Sequence, residues 1–507
     1  MTLRQIRIDT AMVAARGPVG RDLRIATMIA LLSAAGHAAF GSGPVQPRTF
    51  FLALDAVPYT AVAELYSSGG AEELFGELGR PIPLISTFPS TTTVALAAAL
   101  APFGLEMSPG YEARFFDWRE RSIRGGGPIS FFRIDFPWRR FFDWSKKSVV
   151  RSAVASLRPV AVSEKRALAA FEAFLASERR NFFAYIDSTD AAAHLRGPSS
   201  LDEMFRRLGV AIREARRSGE EFRVVVFSDH GIAGGEPLEN SLPGIVERLK
   251  RFEFRPAKRL RDERDVVLTP YGLVSSFEAY SADDAVPSLA EVLVSARGVE
   301  LCAYRGANEF WVVDSGGLAM IARKQGRWWA YLPQAGDPLR YREVVAALRA
   351  GAVAADRSGQ GEDRPGEHGV DEASWFNDRA WFEATRGEHF PDALHRIAGG
   401  FELVTHPASV ICSLEPGYMY GPGTTATAAR LTGGRLRWTH GALHWEPSAG
   451  FLLTDSAHLD STEALRLGDA LGGLASPLAG RDPTPRDTAA DPTTGRARGA
   501  PRDDCRF

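Results

Sequence analysis

Cysteine is nearly absent from this chain. Cys302, Cys412 and Cys505 are the three in 507 residues, which excludes a disulfide framework and leaves no CxxC-type zinc cluster. Cys302 and Cys412 stand in apolar, strand-like surroundings and read as small buried core residues, and Cys505 lies in a polar tail. An excess of one charge is missing too. Lys+Arg 60 against Asp+Glu 62 leaves a formal net charge of -2, so overall charge gives no reason to expect nucleic-acid duplex binding. Long apolar runs are also lacking. The uncharged stretch from Ile25 to Ala35 is too short to span a bilayer, and no other segment reaches spanning length.

What is present is a series of polar residues, each closing an apolar strand-like segment. Asp55 follows Phe50 to Leu54, Asp190 and His194 follow Phe182 to Ile186, and Asp229-His230 follows Val224 to Ser228; His440 stands far downstream in Thr439-His440-Gly441. Carboxylates and imidazoles at the carboxyl ends of buried strands converge on the crevice where open α/β sheets hold ligands. Three Asp and three His beside a Thr cluster form the ligand chemistry of a two-metal hydrolase. Asp190 and His194, four apart, share one face of a helical turn. An adjacent acid and imidazole at the end of an apolar strand are costly to bury without a compensating cation. The run Phe88-Pro89-Ser90-Thr91-Thr92-Thr93 precedes an Ala-rich helix. A hydroxyl at a helix amino terminus faces unpaired N–H groups that favour an alkoxide and bind phosphate, although Ser and Thr are also ordinary caps there.

Strand and helix signals alternate from Arg48 to about Arg251, which predicts an α/β fold: a mostly parallel central sheet covered on both faces by helices. A β-rich subdomain is expected at about 266–349, and the charged, Gly-rich stretch from Gly351 to Gly369 reads as a loop. The aromatic-dense stretch from Arg114 to Lys147 reads as a packed excursion, with a wall of the substrate pocket as the alternative. Residues 48–473 form the expected catalytic domain, and 474–507, rich in Pro, Asp, Arg and Thr, cannot bury enough apolar surface to order itself. Residues 1–47 are a leader with two readings. Arg16, Arg21 and Arg24 ahead of the apolar stretch, with small residues around Gly36 to Ala39 behind it, resemble a secretory signal with a long n-region. The other reading is a surface helix leading into the first strand. The first places the protein in the periplasm or outside the cell, the second in the cytoplasm.

The order Asp55, Thr92, Asp190-x-x-x-His194, Asp229-His230, Thr439-His440-Gly441 resembles the alkaline phosphatase superfamily, most closely its type I phosphodiesterase/nucleotide pyrophosphatase branch, over roughly residues 48–455. Ala53 to Pro58, Gly336-Asp337-Pro338-Leu339 and Phe390 to Leu394 extend the match. The resemblance implies an alkaline phosphatase-like α/β/α sandwich and two divalent ions of the zinc type. One would be held by Asp190, His194 and His440, the other by Asp55, Asp229, His230 and the Thr92 oxygen. It also implies Thr92 as the nucleophile, three residues after Pro89, and a small phosphate ester as the substrate. The chain departs from the family pattern at Ala101-Pro102 and at Met107 to Tyr111, where a Thr-Gly and a His-Gly are usual, and at Ala95, where an Asn that holds a phosphoryl oxygen is expected. The rival readings are a sulfatase-like enzyme, for which no cysteine is suitably placed, a phosphoglycerate mutase-like enzyme, and a catalytically inactive metal-bearing binding protein. His368, His389, His395, His406, His444 and His458 fall outside the pattern, although His368 and His444 could reach the site.

Overall fold

The computed structural model describes residues 47–125, 137–145, 158–269, 271–357, 375–421, 436–456 and 463–475. The leader with His37, part of the aromatic stretch, His368, His458, Cys505 and the tail beyond 475 lie outside the described residues. No helix among the described residues is long and apolar enough to cross a membrane.

Strand β1 (Arg48–Leu54) is apolar on both faces, as a central parallel strand must be. Strands β2 (Ile82–Ile85), β3 (Asn181–Ile186), β4 (Phe222–Ser228), β5 (Ala449–Thr454) and β6 (Leu465–Arg466) complete a six-stranded sheet in the order β6-β2-β5-β4-β1-β3. All run in one direction except β5, which is antiparallel to both its neighbours. The period-2 alternation sends Phe50, Leu52 and Leu54 into one helical layer and Phe51 and Ala53 into the other. Burying a side chain of this size contributes about 1.5–3 kcal/mol. Helices α1 (Thr92–Leu100) and α6 (Leu467–Ala475) pack together on the Phe51 face; α2 (Pro159–Leu175) and α4 (Asp202–Arg217) cover the other. The fold is therefore an α/β/α sandwich on a mostly parallel sheet. Two further helices bear on the site: α3 (Ser188–Arg196) follows β3, and α5 (Ala393–Glu402) lies late in the chain.

The helical segment expected near Ala61 to Leu78 is two helices, Tyr59–Ser67 and Glu72–Leu78. They break at Gly69-Gly70, where Gly69 takes a φ of 74°, a conformation that ends helices. The second of them lies so close to α4 that a Cβ at Gly209 would sit 2.3 Å from the Leu74 nitrogen.

A second sheet of nine strands holds the expected β-rich region and extends beyond it in sequence. Strands 299–305, 309–314, 317–324 and 328–335 form a meander, and 410–414 inserts between 299–305 and 276–280. The short strands 255–256, 265–268 and 376–377 complete it. Helix Arg342–Arg357 runs into the segment read as a loop from Gly351. The reading of Cys302 and Cys412 as small buried core residues outside any disulfide framework is corrected on the second point. Both are fully buried, but they face each other across antiparallel strands with Cα atoms 4.0 Å apart and form a disulfide. Their separation of 110 residues hid a contact that only strand register creates.

Candidate active site

The register of the central sheet gathers the strand-end residues. Leu54 of β1 lies opposite Ile186 of β3 on one side and Ser228 of β4 on the other, so the three carboxyl ends are level. Asp55 and Asp229-His230 leave β1 and β4 directly. Asp190 and His194 stand one turn apart on α3. After Asp55 the chain turns sharply, with Ala56 at a φ of 57°, and its N–H points to Asp229 Oδ1 at 3.3 Å. His440 arrives from the far end of the sequence, held by the Ser275 N–H on its carbonyl at 2.6 Å. The next residue must be glycine, since Gly441 has a φ of 110° and a Cβ there would meet Ser276 Oγ at 2.7 Å.

Two clusters result: Asp190 with His194 and His440, and Asp55 with Asp229 and His230. Within each, one candidate ligand atom per residue lies within 4.8 Å of the others. The clusters adjoin, with the His230 and His440 rings stacked at 4.2 Å. Thr92, the first residue of α1, donates from Oγ1 to Asp55 Oδ1 at 3.0 Å and lies 3.4 Å from His230 Nε2. Its neighbours turn elsewhere. Thr91 Oγ1 donates to the Tyr111 carbonyl, Ser90 Oγ to the Ala442 carbonyl, and Thr93 is fully buried.

The imidazoles share one orientation. Nδ1 of His194, His230 and His440 faces the backbone carbonyls of Trp438 (2.7 Å), Gly231 (2.9 Å) and Ser90 (3.1 Å). A carbonyl oxygen only accepts, so each Nδ1 carries the proton and donates it. Nε2 then faces the carboxylates: His194 at 3.0 Å and His440 at 3.7 Å from Asp190 Oδ1, His230 at 3.6 Å from both Asp55 Oδ1 and Asp229 Oδ2. Burial pulls His230 down to about 4, and burial, followed by the repulsion that protonation beside a protonated His230 would meet, holds His440 well below the usual range. Both rings are neutral near pH 7, and their bare Nε2 lone pairs confront carboxylate oxygens. Asp229 Oδ2 is buried and makes no hydrogen bond, and Asp190 Oδ1 is buried with His194 Nε2 beside it. Burial, then Asp229 and Asp190, raises Asp55 well above the ordinary carboxylate range, and burial chiefly pushes Asp229 up to about 8. At Asp190 burial is outweighed by His194 and the other imidazoles, and its carboxyl stays low. At His194 burial opposes charge, but Asp190 more than offsets it and raises the pKa. Three ring Nε2 atoms and three carboxyl groups converging in this way are the donor set of a divalent cation, each imidazole oriented by a carbonyl behind it.

The remaining histidines among the described residues do not join. His444, 2% exposed, lies 3.4 Å from Glu446; His389 pairs with Glu300, His395 with Asp378, and His406 stacks on Phe115. Ala95 is fully buried among core residues, so that position presents no side chain to the site. The outlying matches support the scaffold. Asp337 accepts from Tyr331, Tyr341 and Arg342, Tyr341 donates to the Phe390 carbonyl, and Asp392 is bound by Arg466 at 2.6 Å.

Sequence reasoning missed Tyr185, whose hydroxyl donates to Asp55 Oδ2. Its place inside the apolar run of β3 gave no signal beyond a polar tip that needs a partner when buried. It also missed Glu278, on the strand beside His440. Glu278 is 1% exposed, accepts from Thr269 and Tyr271, and leaves Oε1 unpartnered. Burial pushes its carboxyl from 4.5 up to about 7. The unfolded chain ionises this group at the lower value and the folded chain at the higher. Stability is therefore full at acid pH and declines as pH rises through that window, by roughly 3 kcal/mol from this group. Glu278→Gln is expected to flatten that decline and to be the more stable protein at pH 8, read by urea unfolding at several pH values. An unchanged profile would contradict the burial argument.

Fold and site together define an α/β/α sandwich whose strand ends hold two adjoining carboxylate–imidazole clusters beside a helix-terminal threonine. No protein-family model matches the chain, and no curated protein matches it in sequence. Among solved structures it is similar to murine ectonucleotide pyrophosphatase/phosphodiesterase 5, at 10% identity and a TM-score of 0.44, covering 85% of this chain and 94% of that one. The human protein of the same name is similar over the same shares, at 11% identity and a TM-score of 0.42. An inactive form of the murine protein in complex with AMP gives 10% identity and a TM-score of 0.44, again over 85% and 94%.

Proposed function

We propose that this chain is a phosphoric ester hydrolase of the phosphodiesterase/nucleotide pyrophosphatase type, working through a phospho-threonine intermediate beside two divalent metal ions. The observation that carries the reading is the shared orientation of the imidazoles. The Nε2 atoms of His230 and His440 carry no proton and face Asp229 and Asp190, Asp229 Oδ2 is unsatisfied, and the Thr92 hydroxyl lies beside them. Asp190, His194 and His440 would hold one ion, and Asp55, Asp229, His230 and the Thr92 oxygen the other. Zinc-type ions, when bound, supply positive charge that favours an ionised hydroxyl and stabilises developing charge on phosphoryl and leaving oxygens.

In this reading Thr92 Oγ1 attacks phosphorus in line with the leaving oxygen. The new Oγ1–P bond forms as the ester P–O bond breaks and the alcohol departs; water then cleaves the phospho-threonine and returns the hydroxyl. Asp55 Oδ1 receives the Thr92 hydrogen bond and is the atom positioned to take that proton. Tyr185 holds the other oxygen of the same carboxylate and fixes its orientation. The backbone of Gly231, Trp438 and Ser90 keeps the rings from turning.

The test is metal analysis of the purified protein, paired with hydrolysis of bis-p-nitrophenyl phosphate and p-nitrophenyl phosphate with and without a chelator. About two ions per chain and chelator-sensitive turnover favouring the diester are expected. Preference for the monoester would make it a phosphatase, and metal without turnover of either ester would favour the inactive binding protein. A chain that binds no metal would overturn the proposal.

A further inference from the structure

A cavity of about 290 Å³ lies between α1, α5 and α6, and neither Thr92 nor any of the proposed metal ligands lines it. Its apolar wall includes Ala98 and Ala101 at the end of α1, Leu403 and Leu467. Three other lining residues, each at most 3% exposed, carry a donor with no hydrogen-bond partner: the Ser86 hydroxyl, Arg396 Nε–H and Trp329 Nε1–H. Unsatisfied buried donors are uncommon, and three around one cavity point to an acceptor that belongs there.

Arg396 sets the charge of that acceptor. Its other N–H groups donate to the carbonyls of Pro391, Leu443 and Thr87 and to Ser448 Oγ, all neutral. The carboxylate that acts on it electrostatically, Asp392, is already bound by Arg466 through two hydrogen bonds. Burial lowers Arg396 to about 10, which still leaves it charged at neutral pH. The other guanidinium groups at the cavity are spent: Arg323 on Glu402 through paired hydrogen bonds, and Arg466 on Asp392 and Asp378. A buried guanidinium with a free N–H and no anion hydrogen-bonded to it is costly unless something negative joins it. Water could satisfy the donors but not the charge, and the cavity is many times the roughly 10–15 Å³ that one water needs.

We propose that this cavity is a second binding site, separate from the hydrolytic one, for a small molecule with an apolar body and a single carboxylate head that accepts from Arg396, Ser86 and Trp329. The body would lie against the alanine and leucine wall. Arg396 also ties Thr87, on the segment leading to Thr92, to Leu443, just beyond His440. An occupant would therefore hold the residue that joins the two sides of the hydrolytic site.

Isothermal titration of the whole, metal-loaded chain with acetate, butyrate and benzoate tests this, with benzamide as the neutral counterpart of benzoate. One site per chain is expected, tightest for benzoate, with benzamide at least about tenfold weaker. Ala98→Leu, which fills the cavity and keeps a good helix former in α1, is expected to remove benzoate binding while leaving metal content and ester hydrolysis within about threefold. Ser86→Ala is expected to weaken binding by about tenfold. Equal binding of benzamide would overturn the carboxylate assignment, and benzoate binding that survives Ala98→Leu would place it elsewhere. Failure of all three carboxylates to bind at about 10 mM would overturn the proposal.

Discussion

Thr92→Ala is expected to lower kcat/KM for phosphate ester hydrolysis by about 10⁴-fold or more, with metal content and fold unchanged. The hydroxyl of Thr92 is the one in the Ser90 to Thr93 run that reaches Asp55 and His230. Its backbone starts α1, where alanine is the better helix former, so the loss falls on chemistry and not on folding. Thr93→Ala provides the control. Its Oγ1 is buried and unpartnered, so removing it is expected to change turnover by less than about tenfold and to be tolerated by the core. Full activity in Thr92→Ala would remove Thr92 as the nucleophile, and equal losses in the two variants would trace the effect to α1 packing.

Asp229→Asn is expected to halve the bound metal, lower kcat/KM by about 10³-fold or more and shrink the fall in Tm that a chelator causes. Asp229 is 1% exposed and its Oδ2 makes no hydrogen bond. Asparagine keeps an oxygen for the N–H groups of Ala56 and His230, at 3.3 and 3.1 Å, so the turn after β4 is retained. What disappears is the charge, which burial opposes and which a cation would balance. Metal bound at about 1,000 times its Kd adds about 4 kcal/mol to folding, so the Tm difference is a sensitive readout. Unchanged metal content and an unchanged chelator response would take Asp229 out of the ligand set.

The strand-end residues were legible because burial on both faces leaves an unbroken apolar run, with an acid at or just beyond its end. Phe50 to Leu54 and Val224 to Phe227 show this, and parallel pairing brings their ends level. Asp190 and His194 were legible as a pair because a helix repeats every 3.6 residues. Other features had no local trace. The close approach of Glu72–Leu78 to α4 depends on Gly209, far along the chain from Leu74. The Cys302–Cys412 bond depends on 410–414 returning to the middle of a sheet begun far earlier.

The sequence by itself determined the α/β class, the order of the acids and imidazoles along the chain and the hydroxyl run at a helix start, because periodicity and strand-end polarity are local properties. The tertiary structure alone decided which hydroxyl faces Asp55, which ring nitrogens are turned to the carboxylates, that Tyr185 holds Asp55, and that unspent donors surround a second cavity. Those depend on backbone carbonyls and side chains brought together from distant segments, such as Ser90 with His440 and Ser86 with Arg396, and no local pattern encodes such a meeting.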